Sequence, residues 1–204
     1  MSDQQQLFYS EGRIINTKDP NISIRLRYIE ERDVDNITTL LNWSYVGKSK
    51  DQWTTVARFV TLQFTKDMVE PDLTVNPDLK KIFIFERYPL TNSTGINSIE
   101  DIVGSVSTSR DSLDSDRGYI SRLFVNPSYQ GLGIGNMLLR LAEEYIHQVY
   151  KYSIFTLEIV SPRDELLKWY QSNNYKICGR SVFDFPNAIS LVDDIHYIKL
   201  IKYR

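Results

Sequence analysis

The apolar residues change their period along the chain, and each change predicts a new element of secondary structure. Residues 22–28 alternate between apolar and polar side chains, which is the pattern of a half-buried strand. In residues 33–41 the apolar positions recur at three and four instead, so we expect a helix with Asp33 as its N-cap. The same spacing over residues 51–70, before Pro71, predicts a second and longer helix.

The rest of the chain is typical of strands in succession and then of alternating helices and strands. We predict strands at 80–87 (buried on both faces), 102–109, 118–125, 153–160, 175–183 and 194–203, and helices at 136–150 and 163–173. A turn-rich loop at 89–100 and an acidic tip containing Asp111, Asp114 and Asp116 connect the early strands. This order, without internal repeats, predicts an α/β layered domain with a mixed sheet.

The composition fits one globular domain and argues against several function classes. The chain has 204 residues, of which 42% are hydrophobic and 25% are charged. A net charge of −2 supplies no overall field for binding nucleic acid or an anionic membrane. One cysteine, Cys178, and two histidines provide no metal-ligand spacing, so we expect a metal-free chemistry. The absence of a signal-like N-terminus and of a long apolar run predicts a cytoplasmic protein.

Three glycines, Gly131, Gly133 and Gly135, directly precede the helix predicted at 136–150. Glycine lets backbone N–H groups converge on an anion, and a helix N-terminus adds the positive end of its dipole. A phosphate loop and a plain tight turn both remain possible from this spacing alone. A P-loop is excluded because Asn136 and Met137 follow Gly135, and the dinucleotide fingerprint is excluded because Asn136 occupies its third glycine position.

The spacing Q-x-x-G-x-G, beginning at Gln130, resembles the pyrophosphate loop of the GNAT superfamily of N-acetyltransferases. The segments "RLFVNPSYQGLGIGNMLL" and "SPRDELLKWYQSNNYKICGR" and the order of elements over residues 22–202 extend this resemblance. It implies a single GNAT-like domain over residues 21–204, with a mixed, mostly antiparallel sheet of about six to seven strands flanked by about four helices. Residues 1–20 are then an N-terminal extension that either adds a strand or stays mobile.

The same resemblance implies a binding site for acetyl-CoA. The strand before the loop is expected to hydrogen-bond the pantetheine and to polarise the thioester through its main-chain amides. Arg163 stands where many members have an asparagine, and it either contacts cofactor phosphate or lies in solvent. The implied cofactor-binding residues are Leu123, Phe124, Val125, Gln130, Gly131, Leu132, Gly133, Ile134, Gly135, Asn136 and Arg163.

Two side chains are candidates for the proton transfers that acetylation of an amine requires. Tyr170 occupies the position of the family's general-acid tyrosine, although it can also be a core residue beside Trp169. Glu158 is our candidate general base, with a solvent-facing or lysine-paired carboxylate as the alternative. A water path past Tyr119 and Ser121 is a further alternative. The helix that carries Tyr170 is expected to begin with Ser161 as N-cap, followed by Pro162 and Asp164.

The acceptor is the least specified part of the predicted reaction. The expected walls of its cleft carry Trp43, Tyr45, Trp53, Phe183 and Phe185, which favours an acceptor with apolar surface. We therefore expect direct acetyl transfer to the primary amine of a small molecule, by a monomer or homodimer. A protein or peptide N-acetyltransferase and a non-catalytic acyl-CoA-binding module remain as alternatives.

Asn174 stands in the turn after the helix predicted at 163–173, where the family usually has glycine. It is expected to adopt the left-handed backbone of that turn.

Overall fold

A central sheet of eight strands organises the protein, for which a computed structural model describes residues 10–47, 55–76, 78–89, 98–110, 116–161 and 163–204. The strands are β1 Ile14–Asn16, β2 Ser23–Tyr28, β3 Val60–Thr61, β4 Lys80–Tyr88, β5 Ile102–Arg110, β6 Arg117–Val125, β7 Ile154–Val160, β8 Lys176–Val182, β9 Ile189–Ser190 and β10 His196–Tyr203. The helices are α1 Val34–Asn42, α2 Pro71–Thr74, α3 Ile134–Tyr145 and α4 Asp164–Ser172. Trp53, Asp111, Asp114, Pro162 and most of the predicted 89–100 loop lie outside the described residues.

The strands of the main sheet are ordered β1-β2-β4-β5-β6-β7-β10-β8, and β3 and β9 form a separate pair. All neighbours in the main sheet are antiparallel except β6 and β7, which are parallel. The prediction of a mixed, mostly antiparallel sheet with four helices is confirmed. The predicted count of six to seven strands is too low because β1 has only three residues and shows no periodicity of its own.

The helix predicted over residues 51–70 is wrong for its described part. Val60, Leu62 and Phe64 are buried, whereas Thr61 and Gln63 between them are exposed, which is the period of extended backbone. The prediction used the four-residue spacing of Val60 and Phe64 and overlooked Leu62. Residues 60–61 form β3, and only a short 3-10 turn, Lys66–Met68, precedes α2.

Two apolar clusters cover the two faces of the sheet. On one face α3 and α4 pack against a core that includes Phe83 and Phe85 of β4. On the other face α1 and residues 56–69 pack against Ile82 and Ile84 of the same strand. The prediction that this strand is buried on both faces is therefore confirmed.

The two predicted helix caps are corrected by the structure. Asp33 precedes α1 but makes no side-chain cap, because its buried carboxylate accepts hydrogen bonds from the guanidinium of Arg27. The helix with Tyr170 begins at Asp164 after Arg163, and the hydroxyl of Ser161 instead accepts the backbone N–H of His196 at 3.0 Å. In both places a tertiary partner competes successfully for the polar side chain.

Candidate active site

A cleft of about 1190 Å³ opens where β6 and β7 part. The two strands pair only from Arg117 to Tyr119 on the β6 side. Beyond that point the opposite edge of β6 remains paired with β5, up to Val125 opposite Gly104. The edge of Leu123–Val125 that faces away from β5 therefore borders the cleft, where extended polar groups of a ligand can hydrogen-bond to it.

One side of the cleft, which we call the loop half, consists of residues 123–136. The loop after β6 is anchored by the buried Asn126, whose amide donates to the carbonyl of Ile102 at 2.9 Å and accepts the N–H of Ser128. Gly131 and Gly133 then have φ values of 82° and 80°, a left-handed backbone that other residues adopt only with strain. These turns lead directly into α3 and explain two of the three glycines.

The geometry of the loop half fits a diphosphate. Gly133 is the N-cap of α3, and no side chain caps the helix there. The first backbone N–H groups of a helix have no partner within it, so they can bind an anion. Lys18 brings a positive charge close to Gly133. A Cβ added at Gly133 would lie 3.1 Å from the Cε of Lys18 and 3.8 Å from its Nζ. A Cβ at Gly135 would lie 3.4 Å from the ring of Trp169, which explains the third glycine by close packing of α3 and α4.

Tyr170 and Arg163 lie together at the inner end of the cleft. Both side chains line it and both are buried, with 6% and 7% of their surfaces exposed. Burial raises the pKa of Tyr170 above its ordinary value of 10.0, Tyr45 raises it further, and the charge of Arg163 opposes this. The guanidinium carbon of Arg163 is 5.7 Å from the ring centre of Tyr45, so this arginine does not lie in solvent. The hydroxyl of Tyr170 is thus protonated at neutral pH.

Glu158 lines the same cleft from β7. Its carboxylate accepts a hydrogen bond of 2.9 Å from the hydroxyl of Ser181 and lies 3.7 Å from the ammonium of Lys199. It also acts on Tyr119, whose pKa is raised first by burial and then by the charge of Glu158. Glu158 therefore faces the cleft and has the lysine neighbour of the alternative interpretation, while its role as general base stays a prediction.

A bulge in β6 brings an arginine into the cleft that the sequence pattern did not predict. The register between β5 and β6 shifts between Ser105 and Ser107, and Arg122 opposite them has a φ of 49°. Arg122 donates to the carbonyl of Met68 at 2.6 Å and forms an ion pair with the buried Asp72, which also pairs with Lys80. Alternation along β6 could not reveal this bulge, because it needs a positive φ at a residue that rarely adopts one.

The other side of the cleft, which we call the aromatic half, is formed by rings from distant segments. Its members are Tyr45, Phe64, Tyr119, Phe183, Phe185 and Tyr197. Three of these were expected at the acceptor wall, while Trp43 lies outside the cleft and packs in the core. Phe64 and Tyr197 were missed because the residues around Phe64 were assigned to a helix and Tyr197 was treated only as part of a strand.

The predicted site residues come together with one exception. The cleft is lined by Leu123, Phe124, Val125, Gln130, Gly131, Gly133, Ile134, Gly135, Asn136, Glu158, Arg163 and Tyr170. Leu132 does not line the cleft, because its side chain turns toward the core beside α3. Lys18 was missed because it lies in the turn between β1 and β2, in the segment interpreted as an extension. Asn174 has a φ of 69°, which confirms the expected left-handed turn.

Neither metal binding nor membrane spanning has support in the described part of the chain. Among those residues, no group of three or more histidine, cysteine, aspartate or glutamate side chains is arranged to hold a metal ion. No helix in the same residues is long and apolar enough to cross a bilayer.

Comparison with known proteins gives one family and one fold. The model of the acetyltransferase (GNAT) family matches residues 59–175. A Vibrio cholerae spermidine N-acetyltransferase, solved with CoA and spermine, is 14% identical and covers 88% of this chain and 95% of its own, with a TM-score of 0.61. An acetyltransferase from Streptococcus agalactiae is 14% identical, with coverages of 89% and 98% and a TM-score of 0.57. No curated protein sequence matches the chain.

Proposed function

Because this chain belongs to the acetyltransferase (GNAT) family, we propose that it transfers an acetyl group from acetyl-CoA to the primary amine of a small molecule. The single observation that carries the proposal is that the β6 edge, beyond its pairing with β7, continues into an uncapped helix N-terminus within one cleft. The Vibrio cholerae enzyme of similar fold was solved with CoA and an amine, which supports both ligand classes. Bound acetyl-CoA supplies the thioester, from which the acetyl group is transferred and the sulfur leaves.

The loop half holds the cosubstrate in this proposal. The amides at the start of α3 and the ammonium of Lys18 bind the diphosphate. The main chain of Leu123–Val125 binds the extended pantetheine as an added strand and polarises the thioester carbonyl. Gln130 and Asn136 are exposed and line the cleft beside this loop, so their amides can hydrogen-bond to the phosphates. Arg163 contributes a buried positive charge near the sulfur end.

Tyr170 and Glu158 divide the proton transfers. The amine must lose a proton before or as its nitrogen forms the new amide bond, and Glu158 accepts that proton directly or through water. The carbon–sulfur bond breaks in the same overall reaction, and the departing thiolate takes a proton from the hydroxyl of Tyr170. The proton that the amine gave to Glu158 then returns to the Tyr170 oxygen through water, which restores both side chains. A buried tyrosine with a raised pKa remains protonated throughout the neutral range, so it is always ready to donate.

A small molecule is favoured over a protein acceptor by the shape of the cleft. Its volume of about 1190 Å³ must accommodate part of acetyl-CoA as well, and small-molecule sites have volumes of about 300–1,000 Å³. The alternative of a non-catalytic acyl-CoA-binding module has no observation in its favour beyond the replacement of the family's asparagine by Arg163.

The substitution Tyr170→Phe tests catalysis against mere binding. For an acetyltransferase we expect kcat to fall by about 10²- to 10⁴-fold, since general-acid catalysis contributes that much, with acetyl-CoA affinity nearly unchanged. Free thiol release and calorimetric binding measure the two quantities. Tyr150→Phe is the control, because this buried tyrosine lies outside the cleft. A wild-type protein that binds acetyl-CoA but turns over no amine, small or peptidic, would contradict the proposal.

A further inference from the structure

The aromatic half contains two groups of rings in mutual contact. Phe64 lies between Tyr45 and Phe185, with ring centres 5.2 Å from each and interplanar angles of 62° and 72°. Phe183 and Tyr197 form a second pair at 5.1 Å. Edge-to-face neighbours at these distances are the arrangement that aromatic rings prefer. A further ring from a ligand can extend either group.

The carboxylates of the inner cleft already have basic neighbours. The buried carboxylate of Asp72 is paired with Lys80 and Arg122. Glu158 lies near Lys199 and accepts a hydrogen bond from Ser181. The carboxylates of Asp67 and Asp184 are at the rim, where both residues are exposed to water. An entering ligand therefore meets exposed carboxylates at the rim first. Behind them it meets an apolar wall whose carboxylates already have basic neighbours.

We propose that the acceptor is an arylalkylamine, that is, a primary amine joined to an aromatic ring by a short aliphatic chain. The ring packs among Phe64, Phe183 and Phe185, while the amine nitrogen points toward Glu158 and the thioester. The nitrogen forms the amide bond and gives up one proton, and the released thiolate gains one from Tyr170. This inference rests on the proposed acetyl transfer and adds the class of its substrate.

An aromatic wall also assists the chemistry of such an acceptor. An amine that is free in water is mostly protonated at neutral pH, and a protonated nitrogen cannot attack. Transfer into an apolar site lowers the pKa of an amine, because desolvation penalises the charged form. The rings thus favour the neutral nucleophile. A long polyamine is a poorer fit for the inner cleft, because the carboxylates there, Asp72 and Glu158, already have basic neighbours.

The test is calorimetric titration of the protein saturated with coenzyme A, which supports binding without turnover. The probes are 2-phenylethylamine, n-butylamine and spermidine. We expect 2-phenylethylamine to bind about 10- to 100-fold tighter than n-butylamine, which corresponds to the burial of one phenylalanine-sized ring. Spermidine is expected to bind no better than n-butylamine. Equal binding of the first two amines, or tighter binding of spermidine, would overturn the inference.

Two variants locate the ring within the cleft. Phe185→Ala and, separately, Phe183→Ala should reduce the preference for 2-phenylethylamine over n-butylamine by about tenfold and leave coenzyme A binding unchanged. Val182→Ala is the matched control, because this neighbouring side chain is 82% exposed and lies outside the cleft. If neither phenylalanine variant changes the preference, the proposed ring site is wrong. If coenzyme A itself does not bind, the acetyl-transfer proposal fails, and the same amine titrations on the free protein still test the ring preference.

Discussion

The two halves of the cleft are built in different ways. The loop half comes from one continuous stretch, residues 123–136, and presents to the cleft the backbone groups that glycine and a helix end make available. The aromatic half combines side chains that are more than 150 positions apart, from Tyr45 to Tyr197. A backbone site tolerates many side-chain changes but few changes at its glycines. A side-chain site has the opposite sensitivity, so substitutions in the aromatic half and on β7 should affect turnover more than cosubstrate affinity.

The largest of these effects is expected for Glu158→Gln. Loss of the proton acceptor should lower kcat/KM for the amine by about 10²- to 10⁴-fold near neutral pH, while acetyl-CoA binding stays the same. The amide can still accept the hydrogen bond from Ser181, so the local structure is preserved. Steady-state kinetics from pH 6 to 9 measure the change. Glu144→Gln, an exposed carboxylate on α3 outside the cleft, is the control.

An unchanged rate for Glu158→Gln would show that the proton of the amine does not leave through Glu158. Tyr119 and Ser121 line the cleft beside Glu158 and are the residues along which a water path can run. Tyr119→Phe would then become the informative variant, because burial and the charge of Glu158 raise the pKa of its hydroxyl and keep it protonated.

How well the sequence predicted each half follows from how that half is built. Gly131, Gly133 and Gly135 are close in sequence, so their spacing revealed the loop half directly. Phe64 was not predicted in the aromatic half because it was assigned to a helix. Its four-residue spacing from Val60 also occurs in a strand-like run in which Leu62 lies between them. The sequence did not predict Arg122 in the cleft because a bulge in β6 places it there. It did not predict Lys18 because that residue lies in a turn whose position depends on the pairing of β1. Local patterns therefore predict contiguous sites well, and sites that depend on tertiary pairing poorly.

Lys18 lies beside the loop half and is the charged side chain expected to act there on the diphosphate. Lys18→Ala should weaken acetyl-CoA binding about two- to fivefold at low ionic strength, as expected for an exposed charge beside an anion. The difference should shrink in 0.5 M salt, because screening then acts over only about 4 Å. Lys168→Ala removes an equal charge from the exposed face of α4 outside the cleft. Equal weakening in both variants would show that overall charge, and not Lys18, is responsible.

The smallest expected effect is on stability in alkaline solution. Burial, followed by the charge of Glu158, raises the pKa of Tyr197 from 10.0 to about 12. The pKa of Tyr197 is higher in the folded than in the unfolded protein. The contribution of this hydroxyl to the free energy of unfolding is therefore complete below pH 10 and is lost as pH rises toward 12. From pH 8 to pH 11 the wild type should therefore lose about 1 kcal/mol more of its free energy of unfolding than Tyr197→Phe, which lacks this hydroxyl. Urea unfolding measures this, and Tyr203→Phe, an exposed tyrosine on the same strand, should behave as the wild type.

The backbone site for the diphosphate is tested most directly by titrating acetyl-CoA into two glycine variants. Gly133 and Gly12 both have a left-handed backbone, with φ of 80° and 84°, but only Gly133 lies in the cleft. The wild type should bind with a dissociation constant of about 1–100 μM. Gly133→Glu, which adds bulk and negative charge to the phosphate site, should abolish binding, and Gly12→Glu should bind as the wild type. Full affinity in Gly133→Glu, or no binding by the wild type, would contradict the assignment of this loop to acetyl-CoA.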